Sequence, residues 1–203
     1  MLLLIEYAHE AADRIYRAIV DSDPGVKRLL PILKSYDSTG STGNVEFDTT
    51  RPVWPTDPNK CHISHVVCDT TSWEQKMVQT LEDMNEVVAY VKNHNLGFTI
   101  PYTFEGEQHV YIPDFIVRLR SPDSSSETEP LNLIVEVSGK PKPEKAAKTD
   151  TARTLWVPAV NNHAGFGRWT FLEVSDPWDA KGPIRAALAE FMSRKGQTME
   201  ATV

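Results

Sequence analysis

Residues 109–119, HVYIPDFIVRL, have the composition of a buried strand but carry a proline and an aspartate at their centre. The other residues are mostly β-branched, aromatic or otherwise apolar, as is typical of strands. Pro113 has no N–H to give to a sheet ladder, and aspartate is depleted on sheets unless another group pairs with it. The fold that this chain adopts must therefore provide a partner for Asp114.

A second strand-like run, LNLIVEVSGK at residues 131–140, has a carboxylate inside a stretch that otherwise reads as buried. Burying an ionised carboxylate alone is costly, so Glu136 requires a counter-charge, a proton or a metal ion. If the two strands are neighbours, Asp114 and Glu136 meet at one sheet edge, where their like charges repel. A divalent cation resolves such repulsion, and hard oxygen ligands favour Mg²⁺ or Mn²⁺. A bound ion of this kind activates water and neutralises charge on a phosphoryl group.

The rest of the chain alternates between helical and strand-like patterns, which predicts an α/β fold with a central mixed sheet flanked by helices. The patterns predict helices at 70–95, 142–157 and 176–196, and strands at 61–69, 96–106, 109–119, 131–139 and 169–176, with WVPAV (156–160) as a further strand. Helical spacing over residues 1–34 precedes a polar arm at 35–60. We therefore predict an N-terminal helix and extended linker arm at 1–65 and a main domain at 66–203.

The net charge of the chain and its local charge pattern favour different conclusions about nucleic-acid binding. The net charge of −7 argues against nucleic-acid binding by the whole surface, because phosphate contacts need local positive charge. A basic run nevertheless follows Glu136 and contains Lys140, Lys142, Lys145, Lys148 and Arg153. Two interpretations stay open for this run, contact with DNA phosphates and an ordinary solvated helix face.

Composition and cysteine content indicate the compartment. The chain has 203 residues, 40% of them hydrophobic, and its first residues lack the basic and small-residue features of a signal peptide. Two cysteines are too few for a disulfide scaffold, so we expect a cytoplasmic protein with no membrane span. The segment CHISHVVC lacks the C-x₂₋₄-C spacing of structural zinc sites, so Cys61 and Cys68 are predicted in the core and His62 and His65 on the surface.

Three segments together, LGFTIPYTFEGEQHVYIPDFIVRL, LNLIVEVSGK and LWVPAVNN, resemble PD-(D/E)XK nuclease domains. The closer resemblance is to the C-terminal endonuclease region of type III restriction enzyme subunits and related restriction helicases, over about residues 72–180. It implies a restriction-endonuclease-like core and Mg²⁺-dependent cleavage of double-stranded DNA. The implied metal ligands are Asp114, Glu136 and the backbone carbonyl of Val137, and Glu74 resembles the additional acidic ligand of some members.

The resemblance also implies partners outside this sequence. Related restriction subunits carry an ATP-dependent helicase motor and work with a methyltransferase or specificity subunit. The chain has no G-x-x-x-x-G-K-[ST] phosphate-binding motif, since its one Gly-Lys pair, Gly139-Lys140, precedes a proline. We therefore expect the motor either elsewhere in a longer polypeptide or in a separate subunit.

One position departs from the nuclease pattern. The motif places a catalytic lysine two residues after the glutamate, where this chain has Ser138. Lys140 is the first candidate to supply the charge, and Lys145 or Lys148 from the following helix are the others. Lys142, Lys145, Lys148 and Arg153 are predicted to contact DNA. Two alternatives remain open, a catalytically silent DNA-binding or docking module of the same fold, and an acidic protein-interaction domain without salt-dependent DNA binding.

Overall fold

The computed structural model describes residue 14 and residues 29–33, 39–68, 72–121, 129–138 and 143–200, with side chains at 144–193 in the last range. Its elements are β1 (Val53–Pro55), β2 (His65–Val67), α1 (Trp73–Glu82), β3 (Val87–Lys92), β4 (Ile100–Phe104), β5 (Glu107–Tyr111), β6 (Phe115–Leu119), β7 (Leu131–Val137), α2 (Pro143–Thr151), α3 (Val157–His163), β8 (Arg168–Val174) and α4 (Lys181–Glu200). A π-helical turn, Ala152–Trp156, joins α2 to α3.

Four strands form the central sheet in the order β3-β6-β7-β8. The pairs β3–β6 and β6–β7 are antiparallel, whereas β7 and β8 are parallel. The helical segment from α2 to α3 connects β7 to β8, which is the kind of crossover that parallel neighbours require. In this arrangement the carboxyl ends of β3, β7 and β8 lie at the same sheet edge as the amino end of β6.

Helices cover both faces of the central sheet. On one face, α1 and α4 pack against alternate residues of the strands, and the buried members include Met77, Val78, Leu81, Phe115, Val117, Leu131, Leu133, Val135, Ile184 and Leu188. On the other face, Ile134 and Phe171 pack against Ala152 of the π-helical turn and against the β4–β5 hairpin. The predicted α/β architecture, a mixed sheet between helices, is confirmed.

The run at 109–119 forms two strands where the sequence predicted one. β5 ends at Tyr111 and pairs only with β4, while β6 begins at Phe115 inside the central sheet. Pro113 and Asp114 lie in the link between them, where a missing N–H costs the ladder nothing. The hairpin turns at Glu105 and Gly106, whose φ angles of 51° and 83° suit a two-residue turn. Proline thus separates two sheets and leaves the aspartate at the edge of the larger one.

The predicted helix over 70–95 was wrong in its second half. Helix α1 ends at Glu82, and Val87–Lys92 form strand β3 at the edge of the central sheet. A register shift between Val87 and Ala89 places Val87 and Tyr90 in the same core cluster, although they are three residues apart. The bulge thus gives a strand the three-residue apolar spacing that is typical of a helix.

The segment WVPAV, predicted as a strand, is helical. Pro158 lies at the beginning of α3, directly after the π-helical turn. The helical backbone runs without a break from α2 through this turn, where the Val157 N–H donates to the carbonyl of Ala152, so the proline lies where the usual i→i+4 hydrogen-bond ladder is already interrupted. Ala159 and Val160 are buried. Tertiary packing therefore outweighs the strand preference of this short apolar segment.

Parts of the N-terminal predictions lie outside the described residues, including nearly all of the predicted helix at 1–34. In the predicted arm, residues 39–52 contain one 3₁₀ turn, Thr42–Asn44, and β1 then pairs with β2. Strand β2 crosses the predicted boundary at residue 65, and Trp54 and Ile63 pack against the first core cluster. Within the described ranges, no helix combines the length and apolar character needed to cross a bilayer.

The segment CHISHVVC forms a shorter strand than predicted, with only His65–Val67 in the ladder. Cys61 and Cys68 are buried free cysteines, and the two histidines are exposed, as predicted. Burial raises the pKa of the Cys61 thiol. Both thiols therefore behave as small apolar core groups.

Candidate functional site

Asp114 and Glu136 come from neighbouring strands at one edge of the central sheet. Phe115 pairs with Val135, and the antiparallel register makes Asp114 and Glu136 the next opposed residues outwards. Asp114 Oδ2 accepts a hydrogen bond from the backbone N–H of Val137 at 2.7 Å. The structure thus brings together Asp114, Glu136 and Val137, three of the four site residues predicted from these two segments.

The environment of Glu136 disfavours its negative charge. Burial, followed by the neighbouring charge of Asp114, raises the pKa of Glu136 to about 7. The hydroxyl of Tyr111 donates a hydrogen bond to Glu136 Oε2 at 2.7 Å, which offsets part of this effect. Two half-buried carboxyl groups side by side, one of them with a raised pKa, form the kind of donor set that a hard divalent cation stabilises.

Tyr111 was missed by the sequence analysis. It is the last residue of β5, it is 2% exposed, and it packs with Ile134 and Phe171 in the second core cluster. Burial and the adjacent Glu136 raise the pKa of its hydroxyl, which therefore stays protonated as a hydrogen-bond donor. The available signal was chemical, since a buried tyrosine generally needs a partner for its hydroxyl group.

Glu173 is a second residue that the sequence analysis missed. The parallel register of β7 and β8 places Glu173 directly opposite Glu136. Asp114, Glu136 and Glu173 therefore occupy one row across three adjacent strands. The signal was the segment FLEV, which has a glutamate in an apolar strand just as LIVEV does.

Among the described residues, a lysine of helix α2 lies at the end of β7. Lys145 Nζ donates to the backbone carbonyl of Ser138 at 3.4 Å and forms an ion pair with Glu173 Oε1. The positive charge of Lys148, and to a smaller degree that of Lys145, also opposes the rise in the pKa of Glu136. Of the three lysines proposed to replace the motif lysine, Lys145 thus reaches the backbone of Ser138, the position at which the motif has its lysine. Lys140 lies outside the described residues.

The other predicted DNA contacts follow the same helical segment. Lys148 forms an ion pair with Glu144 at 3.1 Å, and its Nζ lies 5.7 Å from the centre of the Tyr102 ring. Arg153 is exposed on the π-helical turn, with its guanidinium 5.6 Å from the centre of the Phe171 ring. Lys142 lies outside the described residues. The predicted DNA contacts that the structure describes, Lys145, Lys148 and Arg153, therefore lie along one helical segment. This segment begins beside the carboxylates of Asp114 and Glu136.

Glu74 reaches the same edge of the sheet from the opposite face. It lies in the first turn of α1 and forms an ion pair with Lys92 at 3.8 Å. Lys92 pairs with Phe115, the residue after Asp114. The neighbouring Asn93 N–H donates to the backbone carbonyl of Asp114 at 2.8 Å. Glu74 is therefore close to the candidate site in the fold, and its role as a metal ligand stays a prediction.

The described ranges contain no group of three or more His, Cys, Asp or Glu side chains arranged to hold a metal ion. A metal site here would therefore use the two carboxylates of Asp114 and Glu136 together with a backbone oxygen and water. Such mixed oxygen sets are usual for Mg²⁺, which keeps several of its water ligands.

Replacement of Glu136 with glutamine is expected to stabilise the metal-free protein. The folded-state pKa of about 7 exceeds the ordinary value of 4.5, so the ionised side chain destabilises the fold. This cost grows as pH rises from 4.5 through 7 and amounts to about 1–3 kcal/mol at pH 8. Urea denaturation in EDTA should show the variant more stable at pH 8 and equal to the wild type near pH 4.

The exposed carboxylate of Glu107 on β5 provides the matched control. Glu107→Gln should leave the free energy of unfolding within about 0.5 kcal/mol of the wild type at both pH values. A Glu136→Gln variant that is less stable than the wild type at pH 8 would contradict the prediction.

Comparisons of this chain with protein-family models, curated proteins and solved structures find no match.

Proposed function

We propose that this chain is a divalent-metal-dependent DNA endonuclease domain with a restriction-endonuclease-like PD-(D/E)XK core. The proposal rests on one observation, the meeting of Asp114 and Glu136 at the sheet edge with the Lys145 ammonium group beside them. The order of parts along the chain supports it. A helix with an acidic first turn precedes a strand that begins directly after Asp114 and a strand whose last residue but one is Glu136.

The residues at this edge are suited to divide the work of phosphodiester hydrolysis. Asp114, Glu136 and the carbonyl of Val137 would hold Mg²⁺ or Mn²⁺. When bound, the ion supplies an activated water molecule and neutralises charge on the phosphate. The N–H of Val137 fixes the Asp114 carboxylate, and the Tyr111 hydroxyl fixes that of Glu136, so both are oriented before a ligand binds.

Lys145 would act on the phosphate itself. As the water oxygen bonds to phosphorus and the leaving oxygen departs, an additional negative charge develops on the phosphate. An ammonium group held at the end of β7 would stabilise the transition state, in which this charge is present, more than it stabilises the bound substrate. This role replaces the missing lysine at Ser138 with one from helix α2.

The substrate proposed is double-stranded DNA. Lys148 and Arg153, with Lys142 before them in sequence, would contact phosphates and position the duplex without reading its bases. The resemblance to restriction subunits adds a helicase region or subunit and a methyltransferase or specificity subunit as proposed partners. Base recognition would then reside in those partners.

The test is incubation of supercoiled plasmid with the purified chain in Mg²⁺, in Mn²⁺ and in EDTA. Nicked and linear products that need the cation are expected, together with saturable Mn²⁺ binding by calorimetry. Absence of both cleavage and Mn²⁺ binding would overturn the proposal.

Ser138 favours one alternative, a DNA-binding or docking module of the same fold without catalysis. In that case the Lys145 ammonium, already paired with Glu173, would serve only to stabilise the fold. This alternative predicts salt-dependent DNA binding and no cation-dependent cutting of any plasmid. The plasmid test therefore separates the two functions directly.

A further inference from the structure

The role of Lys145 raises a geometric problem that a lysine at residue 138 would not have. A lysine on a strand starts from backbone that the sheet ladder holds, whereas Lys145 must reach the site from helix α2. Lysine also has one of the largest side-chain entropies, about 1.5–2 kcal/mol when fully ordered. A lysine that works from a helix therefore needs a group that fixes its ammonium.

Glu173 supplies such a group. Its carboxylate forms an ion pair with Lys145, and the two side chains are only 30% and 17% exposed. The backbone around the pair is held by the ladder, since Ser138 N–H donates to the carbonyl of Val174 at 3.0 Å. Lys145 Nζ thus has two fixed partners, one on β8 and one at the end of β7.

We propose that Glu173 is a positioning residue that holds the Lys145 ammonium at the end of β7, beside Asp114 and Glu136. This inference rests on the proposed nuclease function and deepens it. Glu173 acts through Lys145 and contacts neither the ion nor the phosphate. It thereby compensates for the absence of a lysine at residue 138. Lys145 on the helix and Glu173 on the strand together take the place of the motif lysine.

An opposite effect of the same ion pair is chemically reasonable and gives a result of opposite sign. A carboxylate that neutralises Lys145 would weaken its interaction with a phosphate, so removal of Glu173 would then speed cleavage. Under the proposal, removal of Glu173 frees the ammonium from its place and slows cleavage. The direction of the change therefore decides between positioning and neutralisation.

The experiment is a double-mutant cycle on the cleavage of supercoiled plasmid in Mg²⁺. Glu173→Gln alone is expected to lower kcat about 10–100-fold, as orienting partners of catalytic groups typically do, with KM little changed. In a Lys145→Ala background, the same substitution should have no further effect, because Glu173 acts only through that lysine. Asp83→Asn, which removes a carboxylate from the exposed pair with Lys181, serves as the control and should leave kcat unchanged.

Each outcome has one meaning. Faster or unchanged cleavage by Glu173→Gln would overturn the inference while leaving the nuclease proposal intact, since the wild type would still cut. Equal losses from Glu173→Gln in both backgrounds would also overturn it and assign Glu173 a role independent of Lys145. A wild type that neither cuts nor binds Mn²⁺ would overturn the proposed function and the inference with it.

Discussion

Asp114→Asn is expected to lower Mg²⁺-dependent DNA cleavage by about 100-fold or more while leaving the fold intact. The amide oxygen of asparagine can still accept the hydrogen bond from the Val137 N–H, so the link before β6 keeps its anchor. The variant loses one of the two carboxylate charges that would bind the ion. A 100-fold lower rate corresponds to a loss of about 3 kcal/mol of transition-state stabilisation.

Two measurements check this prediction. Cleavage of supercoiled plasmid gives the rate, and calorimetric titration with Mn²⁺ gives the affinity, which should fall together with the rate. Asp150→Asn removes an exposed carboxylate on α2 and provides the control. If Asp114→Asn cuts DNA as fast as the wild type, the metal site does not depend on Asp114 and the assignment of the site is wrong.

Lys145→Ala is expected to have the next largest effect, a fall in kcat of about 100-fold. Removing one group that stabilises developing charge typically costs 10²–10³ in kcat. The ion pair that is lost is partly exposed, so the free energy of unfolding should change by only about 1 kcal/mol. Thermal unfolding of the variant separates this small loss of stability from the large loss of rate.

Lys148→Ala, one helical turn further along α2, provides the contrast for Lys145. It should weaken DNA binding and reduce the slope of affinity against salt by about one counterion, and because its charge also acts on Glu136, kcat should fall, but less than in Lys145→Ala. Full activity in Lys145→Ala together with its loss in Lys140→Ala would contradict the prediction. The catalytic charge would then come from Lys140.

The residues of the candidate site were largely predictable from local chemistry. Asp114 and Glu136 each place a carboxylate in an apolar strand-like run, and such a group needs a partner wherever the strand lies. The sequence therefore indicated both residues before their register was known. Glu173 met the same criterion in FLEV, but its importance depends on lying opposite Glu136, which no local pattern indicates.

Predictions of helix or strand were wrong where the spacing of the apolar residues was compatible with both. The bulge in β3 brings Val87 and Tyr90 to the same core cluster at helical spacing, so a strand resembled the end of helix α1. Conversely, WVPAV has a strand-like composition but continues a helix past a π-helical turn. In WVPAV, packing outweighed local preference, whereas VVAYVK follows the strand preference of its valines and tyrosine and only its apolar spacing is helix-like.

The sequence by itself determined the α/β class, most of the helices and strands, the buried apolar runs and the two carboxylates that require compensation. Those features follow from local composition, because burial and charge constrain each segment separately. Only the tertiary structure decided that the Lys145 ammonium group lies at the backbone of Ser138, with Glu173 beside it. That position depends on how α2 crosses from β7 to β8, because chain segments far apart in sequence can bring an ammonium group to the same point in space.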